Sequence, residues 1–334
     1  MSYTKEEAVR LVIEAGHRLC SAGLIARTWG NISARISDTQ FVITPSGKAY
    51  DLLTPADIVT VNIADCSYDG DVKPSSEKGI HAESYKYRSD VNFVIHTHQL
   101  YATAYGASGR ELPTADTLLG GTVPCAEYAI SSTKMLKNKV SDCIRTHLRA
   151  NAFFMRYHGV LCLGTDTDNA FDIALRLEEL CKAEVTAKLG SLPEGESIRL
   201  PEGFTESIAE DNALFVSTPA TYAVAKKYRR LRPMIDDMAQ IAGTHFASVR
   251  ISGDFTEKAA KALDGRNAML VTGKGAVVTG KDADECGAVA SVLEKNCLAK
   301  LFADACGCGH SLSYPDAFLQ RTIYVMKYSK MKNG

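Results

Sequence analysis

Val91-Asn92-Phe93-Val94-Ile95-His96-Thr97-His98 decides how the rest of this sequence is read. The apolar run through Ile95 is that of a buried strand. Residues two apart in a strand project from one face, so the imidazoles of His96 and His98 are expected to point at one spot beyond the strand end. Two converging imidazoles can chelate a divalent metal at nitrogen–metal distances near 2 Å. His-x-His also arises in strands that bind nothing, so the surroundings carry the reading. Pro74-Ser75-Ser76-Glu77 lies about twenty residues upstream and Tyr157-His158-Gly159-Val160 about sixty downstream. Three histidines and a carboxylate, each beside turn or strand signals, match the ligand count of a catalytic zinc (Zn2+) with an open position.

The 334 residues are 46% hydrophobic, enough for one large core or two smaller ones. A formal net charge of -1 gives no electrostatic case for nucleic acid or a membrane surface as partner. No run of about eighteen apolar residues is present, and Met1-Ser2-Tyr3-Thr4-Lys5-Glu6-Glu7 opens an amphipathic helix instead of an apolar leader. A cytoplasmic location is expected. The ten cysteines are scattered, and Cys20, Cys162, Cys181 and Cys297 sit in apolar surroundings, as reduced core residues would. Cys306-Gly307-Cys308-Gly309-His310 has no matching ligand pair and reads as a turn.

Helical spacing covers residues 4–22, and β-like pieces follow at 31–36, 40–44 and 58–63. A serine-capped helix is expected after Ser75-Ser76-Glu77, running to Tyr87, and another over Tyr101 to Ala107. Residues 152–163 read as paired strands and 168–188 as a long helix. Pro, Gly, Ser and Glu dominate 191–220, which makes that stretch the expected linker between a first domain, 1–190, and a second, 221–334. The second domain repeats part of the first. Asn151-Ala152, Gly159, Gly164, Ala174, Leu177-Glu178 and Cys181 recur as Asn267-Ala268, Gly275, Gly280, Ala290, Leu293-Glu294 and Cys297, all 116 residues later (267 − 151 = 116; 297 − 181 = 116). Lys274 stands where His158 stood. A protonated lysine cannot ligate zinc, so no second metal site is expected.

Trp29-Gly30-Asn31-Ile32-Ser33, Ile43-Thr44-Pro45-Ser46-Gly47, Pro74-Ser75-Ser76-Glu77, His96-Thr97-His98, Val123-Pro124-Cys125-Ala126 and His158-Gly159 occur in this order. Together they resemble the class II aldolase/adducin family, most of all its L-fuculose-1-phosphate aldolase branch, over roughly residues 5–190. The resemblance implies an α/β fold, three-layer α/β/α with a central mostly antiparallel sheet, here followed by a C-terminal partial repeat. It also implies homo-oligomers, usually fourfold-symmetric tetramers, and zinc held by His96, His98 and His158.

Cleaving a carbon–carbon bond beside a ketone leaves an enediolate, whose charge a zinc ion stabilises as a Lewis acid. Glu77 is then the group that moves the proton, as base in one direction and acid in the other. Asn31, Ser46, Gly47, Ser75 and Ser76 supply small donors and backbone amides on turns and at a helix start, a cradle for the phosphate of a small phosphorylated sugar; Lys48 can add a charge. Trp29 is more like the ribulose-5-phosphate 4-epimerase branch, which carries aspartate where Glu77 stands. Family aldolases place a tyrosine proton donor a few residues after the position of Pro113, where this chain has Asp116 and Thr117; Tyr128 is a substitute. The expected activity is zinc-dependent cleavage of a ketose 1-phosphate to dihydroxyacetone phosphate and an aldehyde. Sugar-phosphate epimerase, decarboxylase or dehydratase chemistry on the same site, or an adducin-like interaction protein without catalysis, are the alternatives.

Overall fold

The structure, a computed structural model, describes residues 2–25, 29–208 and 212–328. It divides into two compact units, residues 1–183 and 184–334. Each is a mixed α/β assembly around its own mostly antiparallel sheet.

The first unit runs α1 (Lys5–Ser21), β1 (Asn31–Arg35), β2 (Gln40–Ile43), β3 (Val59–Asn62), α2 (Lys78–Tyr87), β4 (Phe93–Thr97), α3 (Leu100–Gly106), β5 (Cys125–Ala126), α4 (Lys134–Thr146), β6 (Ala152–Met155), β7 (Gly159–Gly164) and α5 (Thr167–Leu189). Its sheet order is β3-β2-β1-β4-β7-β6-β5, parallel only between β5 and β6. Side chains alternate across this sheet as the pleat requires. Val94, Phe153, Leu161, Leu163, Phe41 and Ile43 pack on one face against Ile80 and Tyr85 of α2 and Leu136, Val140 and Ile144 of α4. On the other face α1 covers β1 and β2, while α3 covers β6 and β7, with the Tyr105 ring stacked 5.2 Å from that of Phe154. Thr4 caps α1, its hydroxyl accepting from the Glu7 amide at 3.2 Å. The cap of α2 differs from the serine expected. Glu77 itself is the N-cap and its side chain bonds no helix amide. That leaves its carboxylate for other partners.

Past α5 come α6 (Phe204–Ile208), β8 (Asn212–Val216), α7 (Pro219–Lys227), β9 (Arg230–Leu231), α8 (Asp236–Ala242), β10 (Phe246–Val249), α9 (Phe255–Leu263), β11 (Ala268–Val271), β12 (Gly275–Gly280), α10 (Ala283–Ala305) and α11 (Tyr314–Ile323). The sheet order is β8-β12-β11-β10-β9. The 116-residue repeat is kept element for element: β6, β7 and α5 begin at 152, 159 and 167, and β11, β12 and α10 at 268, 275 and 283.

The copy also reaches further back than the sequence spacing suggests. β4 pairs with β7 so that His96 faces Leu161, and β8 pairs with β12 so that Phe215 faces Val277 (161 + 116 = 277). Strand β8 is therefore the counterpart of β4, and α7 that of α3 (219 − 100 = 119). Phe215 and Ser217 stand where His96 and His98 stand. Two glycines corroborate the match. A Cβ on Gly159 would meet Thr97 O at 2.5 Å, and one on Gly275 would meet Val216 O at 2.3 Å. Residues 191–220, expected as a linker, thus contain the first strand of the second copy. Their Pro- and Gly-rich part ends in α6, whose Phe204 packs with Phe255, Met269 and Val277 in a core of its own.

Candidate metal centre

His96 is the next-to-last residue of β4, on the α2 side of the sheet and in register with Asn31 of the neighbouring β1. His98 follows two residues later. His158 enters from the turn between β6 and β7, where its amide bonds the Met155 carbonyl at 2.9 Å and Tyr157 takes a left-handed φ of 62°. Gly159 is what lets that turn approach. An added Cβ would lie 3.0 Å from ring atoms of both His96 and His98 as well as against Thr97 O.

The three imidazoles form a single buried cluster. Their ring centroids are 4.7 Å (His96–His98), 5.0 Å (His96–His158) and 4.8 Å (His98–His158) apart, and their ligand atoms lie within 4.8 Å of one another. Among the described residues no other group of three or more His, Cys, Asp or Glu is so placed, and Cys306, Cys308 and His310 form none. None of the ten cysteines is in a disulfide.

Glu77, 8% exposed, closes the cluster from the start of α2. Its Oε1 is 2.9 Å from His158 Nε2 and its Oε2 is 3.2 Å from His96 Nε2. Burial pushes the carboxyl pKa up, but the charges of His158 and His96 outweigh that and hold it well below the usual range. The donor set fits a divalent metal on one geometric point. His96 Nδ1 donates to Val160 O at 2.8 Å, so its Nε2 carries a bare lone pair towards the centre. That nitrogen lies 2.9 Å from His98 Nε2 and 3.2 Å from Glu77 Oε2, so imidazole nitrogens and a carboxylate oxygen converge on one point, the donor set of a divalent cation.

The expected phosphate cradle is assembled only in part. An antiparallel bridge between Pro45 and Pro74, with Ser46 N on Lys73 O (2.9 Å) and Ser75 N on Thr44 O (3.0 Å), stitches the Ser46-Gly47 turn to Ser75. Gly47 supplies the turn's left-handed φ of 75°. The Ser76 hydroxyl is bound 2.8 Å from Ser132, at a cavity of about 200 Å³ that Glu77, Lys78, Lys134 and Lys137 also line. Lys48 is held by Asp57 at 2.7 Å. Asn31 turns its amide to Glu77 Oε2 at 3.1 Å and to His81 at 2.5 Å, a second partner that sequence reasoning did not foresee. The available signal was the i, i+4 spacing of Glu77 and His81 on one helix face.

Asp116, in the stretch after Pro113, is bound by Arg176 at 2.7 Å, and this bond holds its carboxyl below the usual range. Tyr128 packs edge-on against Tyr157, next to His158, at 5.4 Å.

Known proteins resemble this chain over both units. Residues 10–185 and 212–301 match the family described as Class II Aldolase and Adducin N-terminal domain, the second match starting at β8. The chain is 32% identical over 203 residues to 5-deoxy-D-ribulose 1-phosphate aldolase of Bacillus thuringiensis serovar kurstaki, covering 60% of this chain and 92% of that one. Among solved structures it resembles an L-fuculose 1-phosphate aldolase at 28% identity and a TM-score of 0.51, over 61% of this chain and 95% of that one. No described helix is long and apolar enough to cross a membrane.

Proposed function

The chain belongs to the class II aldolase and adducin family, and on that premise we propose that it is a zinc-dependent lyase cleaving a ketose 1-phosphate to dihydroxyacetone phosphate and an aldehyde. The observation that carries this reading is the convergence of His96, His98 and His158 on one buried point with the Glu77 carboxylate against it. An adducin-like scaffold has no use for such a ligand set.

The three histidines would hold the ion, their neutral imidazoles leaving its double charge intact. When bound, it supplies the positive charge that stabilises an enediolate. Glu77 moves the carbon-bound proton. In the condensation direction its carboxylate removes that proton, and in cleavage Glu77 starts as the carboxylic acid and gives its proton to the enediolate carbon. Burial of Glu77 beside the histidines keeps bulk water from competing for the proton.

Ser75 and the Ser46-Gly47 turn would take the phosphate through hydroxyls and backbone. Ser76 joins them only after its hydroxyl leaves Ser132. Tyr128 is our candidate to take the proton from the substrate hydroxyl that becomes the aldehyde carbonyl in cleavage, and to return it in condensation, since Asp116 is committed to Arg176. The reading extends to a cytoplasmic homo-oligomer with catalysis in the first unit. Incubating the zinc-loaded protein with phosphorylated ketoses and scoring dihydroxyacetone phosphate tests it; inertness towards the whole panel would remove it.

A further inference from the structure

Strand β1 reads Asn31-Ile32-Ser33-Ala34-Arg35, and its three polar residues all point to one face. That face is buried: Asn31 is 5% exposed, Ser33 0% and Arg35 6%. Opposite them stand Glu77, the N-cap of α2, and His81 and Tyr85 on α2, about one helical turn apart. Two strand residues rise about 6.6 Å and four helical residues about 6.0 Å, so the two ladders stay in step over their length.

The contacts form one chain. Asn31 Nδ2 is 3.1 Å from Glu77 Oε2, His81 Nε2 is 2.5 Å from Asn31 Oδ1, Ser33 Oγ is 2.6 Å from His81 Nδ1, and Tyr85 OH is 2.7 Å from Ser33 Oγ. Arg35 closes the far end, bonding the Tyr85 carbonyl at 2.6 Å with its guanidinium 4.8 Å from the Tyr85 ring centre.

Chemistry fixes the direction of every proton. Glu77 accepts, so the nitrogen of the Asn31 amide must face it and the oxygen must face His81. That oxygen accepts in turn, so His81 carries its proton on Nε2. In the fully buried ring, kept neutral, Nδ1 is then an acceptor and takes the Ser33 hydroxyl proton. Ser33 Oγ finally accepts from Tyr85. Each group gives to the next towards Glu77, an arrangement in which successive bonds polarise one another.

We propose that His81 is a positioning residue for the Glu77 acid–base group: as the neutral Nε2–H tautomer it locks the Asn31 amide so that its nitrogen holds Glu77 Oε2 in place. Burial lowers the His81 pKa to about 3, which keeps the imidazole neutral. Asn31 then serves Glu77 as well as any phosphate. The role as a catalytic aid rests on the aldolase reading above. The direction of the bonds does not.

Two measurements test it. In the unaltered protein, 15N spectra of His81 between pH 5 and about 8, the span over which histidine normally titrates, should show the neutral Nε2–H tautomer throughout; an Nδ1–H tautomer or an imidazolium overturns the proposal whatever the activity. In kinetics, the amide nitrogen of His81→Gln reaches the place of Nε2, whereas that of His81→Asn reaches only that of Nδ1. His81→Gln should retain kcat within about threefold, and folded His81→Asn should lose about ten- to a hundredfold in kcat, as expected for a misplaced catalytic group. KM and bound metal should stay unchanged in both. Equal kcat in the two variants overturns the proposal. An inactive parent protein would instead sink the aldolase reading and leave the tautomer measurement standing as the test of His81.

Discussion

His96 Nε2 and His98 Nε2 stand 2.9 Å apart, while the other nitrogen of His96 is spent on the Val160 carbonyl. The ring of His96 is thereby turned and its tautomer fixed before any metal arrives. One metal ion per chain is expected. His96→Ala should abolish metal retention and activity together, as elemental analysis of the dialysed protein would report.

The second unit should add no metal. Phe215, Ser217 and Lys274 replace the three ligands, and Lys274 is occupied by Glu196 at 2.5 Å. The His96→Ala, His98→Ala double variant is therefore expected to bind no stoichiometric zinc. Retention of a full equivalent would point to ligands outside this cluster.

Glu77→Gln keeps the shape of the side chain and removes its basicity. Zinc should stay, and turnover should fall by about two to four decades, as for loss of a general acid–base group. Turnover at the parent rate would mean that another base moves the proton.

Ser75 is buried beside the Ser46 turn, with its hydroxyl accepting from the Glu77 amide at 3.2 Å. Losing a bond to a charged phosphate costs about 1.5–3 kcal/mol. Ser75→Ala should accordingly raise KM for a phosphorylated ketose by about ten- to a hundredfold, with kcat changed little. Steady-state kinetics on the phosphorylated and unphosphorylated sugar would separate this from a general loss of fold.

How much of this was legible in the sequence depends on what each residue faces. His96, His98 and their strand were readable because period-two projection is local geometry, and the 116-residue offset carries the strands and helix expected at 152–163 and 168–188 onto β11, β12 and α10 to within about one residue at their outer ends. Strand β8 escaped for two reasons. Its His-x-His signature has become Phe215-Val216-Ser217, and its offset from β4 is 119 instead of 116 (212 − 93 = 119), so an ungapped comparison stops short of it. Asn31 was assigned to phosphate from its residue type alone. Its partners, Glu77 and His81, lie 46 and 50 residues away, and only the strand–helix register shows them. Polar residues at alternate positions of β1 were the trace that register left in the sequence.

Buried His81 also makes stability depend on pH. Its pKa falls from 6.5 to about 3 on folding, chiefly through burial and next through the charge of His96, with Glu77 opposing. Between those values the unfolded chain holds a proton that the native one does not, so this contribution is complete above pH 6.5 and is lost as pH falls towards 3. The slope is about 1.4 kcal/mol per pH unit. Urea midpoints from pH 7 down to about 4, across the normal titration of histidine, should decline more steeply for the parent than for His81→Gln. Parallel declines would contradict a buried neutral His81.

The central claim is a metal-dependent aldol cleavage, and one assay meets it head-on. Purified protein is given a panel of ketose 1-phosphates, with dihydroxyacetone phosphate release followed before chelation, after chelation and after zinc is restored. The account predicts release from at least one ketose 1-phosphate, its loss on chelation and its return with zinc. No release from any member of the panel by zinc-loaded protein, or release that survives complete removal of the metal, would contradict it.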